Sequence, residues 1–234
     1  MRLIKLYTVV VLSLLLLTGC RGTEDTSNAE TTKGAEGESN INIEESISKD
    51  SQFDYEKAIN QLVTDLDISE YHYPGTFDVG DNLRALLENC AIYYTDYDGS
   101  RAIDEEWEQR FIHNFCQNSW FGFDYLNSIG EAGGTTLSKK QVEYIQYSFS
   151  GNFIEFKSLK KEDTIAIDEA SSGFSYAELS DYEFDENGDE IDLSITFTIS
   201  NSMDGSVEKD GKATLIKNPY SCFDGYSIKT FCIK

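Results

Sequence analysis

The side chains able to do chemistry in this 234-residue chain are few and widely spaced. There are two histidines, His72 and His113, and neither stands in a metal-ligand spacing. The patterns that build zinc sites or activated nucleophiles, His-Glu-x-x-His, Cys-x-x-Cys and Gly-x-Ser-x-Gly, do not occur. His113 and Cys116 lie three apart on a predicted helix and can touch, but thiolate catalysis there requires a cysteine whose pKa is pulled down. The run Asp185-Glu186-Asn187-Gly188-Asp189 repeats oxygen ligands at alternate positions, as calcium loops do. An EF-hand, however, needs Gly at its sixth place and Glu at its twelfth, where Glu190 and Thr196 stand. A tight hairpin turn at Asn187-Gly188 accounts for the run instead. No catalytic residue, metal ligand or cofactor is assigned.

Two acidic clusters, Asp104-Glu105-Glu106-Glu108 and residues 181–192, offer carboxylates in pairs. Glycoside cleavage uses such a pair, held roughly 5 to 10 Å apart in a cleft. The first cluster is explained by the start of a helix, where negative side chains meet the positive end of the dipole. Solvated surface is the expectation for both. The aromatic segment Trp120-Phe121-Gly122-Phe123-Asp124-Tyr125 offers Trp120, Phe121, Phe123 and Tyr125 as ligand contacts, since aromatic faces stack on sugars and line small-molecule pockets. Packing beneath a sheet is the competing reading of the same four rings.

The elements that must position these groups are legible from periodicity. Residues 53–66 place Ile59, Leu62, Val63 and Leu66 on one helix face, and residues 79–94 repeat the stripe with Leu83, Leu86, Leu87, Cys90 and Tyr94. Residues 95–100 read as a turn, and Asp104 is placed to cap a third helix carrying Trp107, Phe111 and Phe115. Ser138 and Gln141 form a capping box for a fourth helix, which ends at Gly151. Beyond it residues 152–158 and 164–167 read as extended, followed by strands at 176–184, 191–199, 212–217 and 226–233, with 201–211 a polar connection. Helices first and strands last predict an α+β fold, with the N-terminal helices packed on one face of a curved antiparallel sheet.

The polar segment 20–51 cannot bury enough apolar surface to offset the entropy of ordering, so it is expected to be a disordered acidic tether. The single folded domain is then 52–234. The four cysteines of that domain, Cys90, Cys116, Cys222 and Cys232, allow three pairings. Cys90 with Cys116, on consecutive predicted helices, is the bridge expected, and buried free thiols are the alternative.

The chain opens with Arg2 and Lys5, continues through an apolar run too short for a comfortable span of roughly 20 residues, and closes on Leu17-Thr18-Gly19-Cys20. These last four residues resemble the lipobox of bacterial lipoprotein precursors. The resemblance implies a signal peptide over 1–19, recognised at Leu17, Thr18 and Gly19, and a diacylglyceryl, palmitate-type lipid anchor on Cys20. Removing Arg2 and Lys5 with the leader takes the net charge from −23 to −25. So acidic a surface repels nucleic acid and disfavours anionic headgroups, leaving the acyl chains to hold the membrane.

The order of elements resembles the NTF2-like α+β cone. Segments 115–120, 169–174 and 218–226, among them Asn218-Pro219-Tyr220-Ser221-Cys222-Phe223-Asp224-Gly225-Tyr226, resemble stretches of a group of clostridial lipoproteins. That likeness implies an address outside the cytoplasmic membrane of a Gram-positive cell and no particular chemistry. The expectation is a membrane-anchored domain that binds a cell-wall or protein ligand without transforming it. The alternative is a hydrolase or isomerase using a cavity inside an NTF2-like cone, with Asp and Tyr as acid and base.

Overall fold

A computed structural model describes residues 54–99, 104–117, 136–167, 175–203 and 205–234. All belong to one unit, Ser51–Lys234. Helix α1 (Tyr55–Asp65) is capped by Asp54, whose carboxylate accepts from the Lys57 amide at 3.0 Å. Helix α2 (Asp81–Tyr93) buries Leu83, Leu86, Leu87 and Cys90. Its cap residue, Gly80, has no side chain to offer, and Asp224 supplies the acceptor from 141 residues away, taking the Leu83 amide at 2.8 Å. A Cβ on Gly80 would stand 2.5 Å from that carboxylate, which is why glycine occupies the cap.

Strand β1 (Asp96–Asp98) follows, then helix α3 (Glu105–Phe111), which widens into a π-turn over Ile112–Cys116. Strand β2 (Thr136–Ser138) leads into α4 (Lys139–Ser150). The predicted capping box is present, with the Ser138 amide donating to Gln141 Oε1 at 2.7 Å and the Gln141 amide to Ser138 Oγ at 3.4 Å. Strand β3 (Thr164–Ala166) pairs only with β2. The chain ends in a meander of β4 (Ser175–Asn187), β5 (Glu190–Asn201), β6 (Gly205–Lys217) and β7 (Tyr226–Ile233).

The main sheet has the order β1-β7-β6-β5-β4 and every pairing is antiparallel. Ile191, Leu193, Ile195 and Phe197 are buried in strict alternation along β5, as their period of two predicts. In β4 the alternation changes phase, with Ala177 and Leu179 inward before a bulge between Leu179 and Asp181, and half-buried Tyr182 after it. The bulge absorbs one residue, so one apolar face survives along the strand. Helix α2 lies against β4 and β7, and α4 against β7. Arg84 donates to the Leu179 carbonyl at 2.9 Å and Glu88 accepts the Leu179 amide at 2.9 Å, so side chains of α2 occupy backbone groups that edge strand β4 would otherwise leave open.

The α+β class and the antiparallel sheet are as the sequence predicts, but the helices do not form an N-terminal layer of their own. β1 and β2 fall between them. Residues 95–100, expected to be a turn, contain β1, because Tyr97 alternates with two aspartates and can bury beside Phe231 while Asp96 stays exposed. The polar stretch 201–211 is largely strand, since backbone pairing of Ser206 with Ser200 and Val207 with Ile199 extends the hairpin without apolar side chains. Residues 152–158 form no strand. The Phe156 amide donates to Glu143 at 3.1 Å, and the Lys157 and Ser158 amides to Glu108 at 3.3 and 3.0 Å, so carboxylates take the place of a neighbouring strand. Glu108 is thus buried, contrary to the solvated surface expected of its cluster.

All four domain cysteines are free thiols, in place of the Cys90–Cys116 bridge. Cys90 and Cys116 are fully buried and act as small apolar side chains. Among the described residues no helix is long and apolar enough to cross a membrane.

Candidate functional site

A cavity lined by aromatic and polar groups lies between β1 and α3 and measures about 360 Å³. Its floor is β1, fixed to β7 by register pairs and by the Gly99 amide, which donates to the Lys229 carbonyl at 2.9 Å. Tyr97 packs its ring 4.6 Å from Phe149, and Tyr94 lies 5.2 Å from Phe115. The side wall comes from α3, which Asp104 caps by accepting the Trp107 amide at 2.8 Å. Rings four residues apart stack along this helix, Trp107 on Phe111 at 5.1 Å and Phe111 on Phe115 at 5.1 Å. In an α-helix that spacing drifts by roughly 40° per step. The wider π-turn offsets the drift, keeps Phe115 in the stack, and sets Asn114 at the cavity. The lining is completed by Ser150, the last residue of α4, and by Asn152 and Ile154 just beyond it.

Burial raises the Tyr94 and Tyr97 hydroxyls far above the ordinary phenol range, and nearby Cys90 adds to the effect. The Tyr94 hydroxyl is buried without a partner at hydrogen-bond geometry, although Asn114 and Arg110 favour its charged form slightly. Two further buried oxygens lack partners, Asn89 Oδ1 and Gln146 Oε1. Both belong to side chains tied to the cavity wall, since Asn89 donates to the Asn114 carbonyl at 3.2 Å and Gln146 to Ser150 Oγ at 2.8 Å. Among the described residues these three are the buried side-chain atoms left unsatisfied. Of the three, the Tyr94 oxygen is the one that belongs to a residue lining the cavity.

A second polar cluster joins α4 to the β6–β7 connection, and there the accounts close. Asn218 accepts from the Tyr147 hydroxyl at 3.0 Å and the Tyr220 amide at 3.3 Å, and donates to Ser227 Oγ at 2.9 Å. The Ser221 hydroxyl contacts the Ser148 and Tyr226 carbonyls, and the Cys222 amide donates to Ser148 Oγ at 3.2 Å. This is the segment 218–226 singled out in the sequence. Its polar residues build a scaffold.

The remaining sequence candidates fare unevenly. Cys116 is fully buried and its thiol is pushed well above the ordinary range, chiefly by burial, while His113 is exposed, so no activated thiolate forms. The run 185–189 is the β4–β5 hairpin, with Gly188 at φ +69°. Among the described residues no group of His, Cys, Asp and Glu is placed to hold a metal ion. Trp120, Phe121, Phe123 and Tyr125 lie outside the described residues, as do Leu17, Thr18, Gly19 and Cys20. Sequence reading missed Tyr93, Asp96, Asp98 and Arg110 as cavity residues. The signal was the alternation Asp96-Tyr97-Asp98, strand-like but only three residues long. No family model, curated protein or solved structure matches the chain.

Proposed function

We propose that this chain is a lipid-anchored lipoprotein facing outward from the cytoplasmic membrane, and that its folded domain binds a small ligand in the cavity between β1 and α3 without transforming it. The anchor rests on Leu17-Thr18-Gly19-Cys20 behind a basic start and an apolar run. The binding role rests on the cavity itself, lined by both aromatic and polar groups, at a volume of about 360 Å³ that falls in the range of small-molecule sites. Catalysis in an NTF2-like cone is the second reading, because aspartates and tyrosines do converge at the cavity. Binding is favoured over it because a tyrosine pushed far above neutrality is a poor proton donor at the pH of a cell surface.

The two halves are tested separately. Mass spectrometry of the membrane-extracted amino terminus should find acyl groups on Cys20, and Cys20→Ala should release the chain to the soluble fraction. An unmodified Cys20 would refute the anchor. For the site, ligand-observed NMR against a mixed set of small polar molecules should give binders that Trp107→Ala abolishes. Binders indifferent to that change would place the function elsewhere.

A further inference from the structure

We infer that residues 182–187 of edge strand β4 take up an extended peptide segment, alternately basic and apolar, which pairs with them as a sixth strand of the main sheet. β4 is 13 residues long and ends the order β1-β7-β6-β5-β4. Sheet edges are ordinarily kept short or covered, because their open amides and carbonyls recruit other strands. Here the cover is partial. Arg84 and Glu88 occupy the Leu179 carbonyl and amide, and past the bulge the Tyr182 amide turns to the Asp181 carboxylate at 2.9 Å. Asn187 pairs with Glu190 across a two-residue turn, so the alternation of an antiparallel ladder directs the backbone groups of 183, 185 and 187 to β5 and those of Phe184 and Glu186 outward. The same alternation, carried through the bulge, turns the Leu179 groups outward, where α2 meets them. Among the described residues no backbone group pairs with those of Phe184 and Glu186 on the outer side.

The side chains select the partner. On one face Asp181, Glu183 and Asp185 are exposed, and no ion pair among the described residues involves them. On the other face Tyr182 is half-buried, and Phe184, 5.1 Å from Phe77, is 38% exposed at the margin of the core. A second copy of the chain fits badly, since antiparallel pairing of two β4 edges about Phe184 sets Glu183 against Asp185 twice, and like charges directly opposite repel. A strand with Lys or Arg on the acidic face and aliphatic side chains beside Phe184 complements both faces. The net charge of −23 draws such a segment in.

The peptide Lys-Val-Lys-Val-Lys-Val-Lys spans about 23 Å when extended, enough to cover the open stretch. Fluorescence anisotropy of the labelled peptide with the purified full-length chain, at about 0.1 M salt, should show it binding at least about ten-fold tighter than Lys-Lys-Val-Val-Val-Lys-Lys, which keeps the charge and composition without the alternation. Methylating the valine amides of the first peptide or, in a second version, its lysine amides blocks one edge of the strand at a time, and one of the two should lose about ten-fold. Glu183→Gln with Asp185→Asn should weaken binding by about five-fold at unchanged thermal unfolding. Glu105→Gln with Glu106→Gln, the same change of charge on α3 at the opposite end of the sheet order, should leave it unaltered. Equal binding of the alternating and rearranged peptides, full binding by both methylated versions, or equal losses from the two pairs of substitutions would overturn the inference in favour of diffuse charge attraction. No binding of the alternating peptide would overturn it outright.

Discussion

The α4 to β6–β7 scaffold and the β1–α3 cavity are both built from tyrosines, serines and asparagines, yet they treat polar groups in opposite ways. In the scaffold Asn218, Ser221 and Ser227 are nearly sealed from solvent and each is hydrogen-bonded. At the cavity the buried Tyr94 oxygen goes without. A buried polar group lacking a partner costs about 1–3 kcal/mol, so a fold that leaves one at the cavity wall has a region that is not fully self-satisfied. Such a region is where an outside group can be accommodated at a gain, and the saturated scaffold is what holds its walls in place. α4 belongs to both, presenting Tyr147 and Ser148 to the scaffold and ending in Ser150 at the cavity.

The largest effect should come from cutting the scaffold. Asn218→Ala removes the acceptor of the Tyr147 hydroxyl and the Tyr220 amide and the donor to Ser227, so denaturant unfolding should show a loss of about 3–4 kcal/mol. A loss below about 1 kcal/mol would mean that the network is not what fixes this region. Next in size is a pair of glycines with the same backbone need and different surroundings. Gly225 has φ +76° and a Cβ there would stand 2.4 Å from the Tyr71 ring, whereas Gly188 has φ +69° with open space around it. Gly188→Ala should cost about 1 kcal/mol from backbone strain alone, and Gly225→Ala at least twice as much, by thermal unfolding of the two variants side by side.

These two regions also mark how far the sequence could be read. The capping box at Ser138, the alternation of β5 and the Asn187-Gly188 hairpin are local signals, decided within a few residues, and each appears where the sequence predicts it. What escaped is long-range. The α2 start at Gly80 is capped by Asp224 from another element, Glu108 turns inward because the amides of 157–158 need acceptors, and a three-residue β1 has β7 as its one strand partner. The cavity inherits that difficulty. Its residues come from β1, α3 and the end of α4, and no single stretch carries enough of them to be seen.

Proton titration acts outside the scaffold. Glu143 holds the Phe156 amide, anchoring the run 152–156 that forms one cavity wall, and burial raises its carboxyl above the ordinary range against the pull of that amide and of Lys139. Glu88 on α2 is raised for the same reason. A raised carboxyl favours the fold when protonated, so this contribution is present at low pH and lost as pH rises through the folded value. Thermal stability should therefore increase as pH falls through the folded values of these two carboxyls, and Glu143→Gln should flatten the increase. Asp65 has the opposite sign, lowered chiefly by its bond from Lys140, and its contribution is lost as pH falls through its folded value, below the range of the Glu143 effect. The slope should be unchanged by Asn218→Ala, because the scaffold holds no raised carboxyl; a slope that vanished with that change would tie the two regions together.

The smallest effects should have opposite signs and so test the comparison most sharply. Tyr147→Phe removes a hydroxyl that donates to Asn218 at 3.0 Å, leaving a buried acceptor short of a donor, and should destabilise the chain by about 1 kcal/mol. Tyr94→Phe deletes a buried hydroxyl without a partner, so nothing is orphaned and one desolvation penalty disappears. It should leave stability unchanged or raise it by up to about 1 kcal/mol. Equal losses from both would mean that the Tyr94 oxygen is satisfied in solution, most simply by a bound water, and the cavity would then be no less self-sufficient than the scaffold. Opposite signs would mean that the fold keeps the Tyr94 hydroxyl at a cost to its own stability, as expected of a group retained for something that binds beside it.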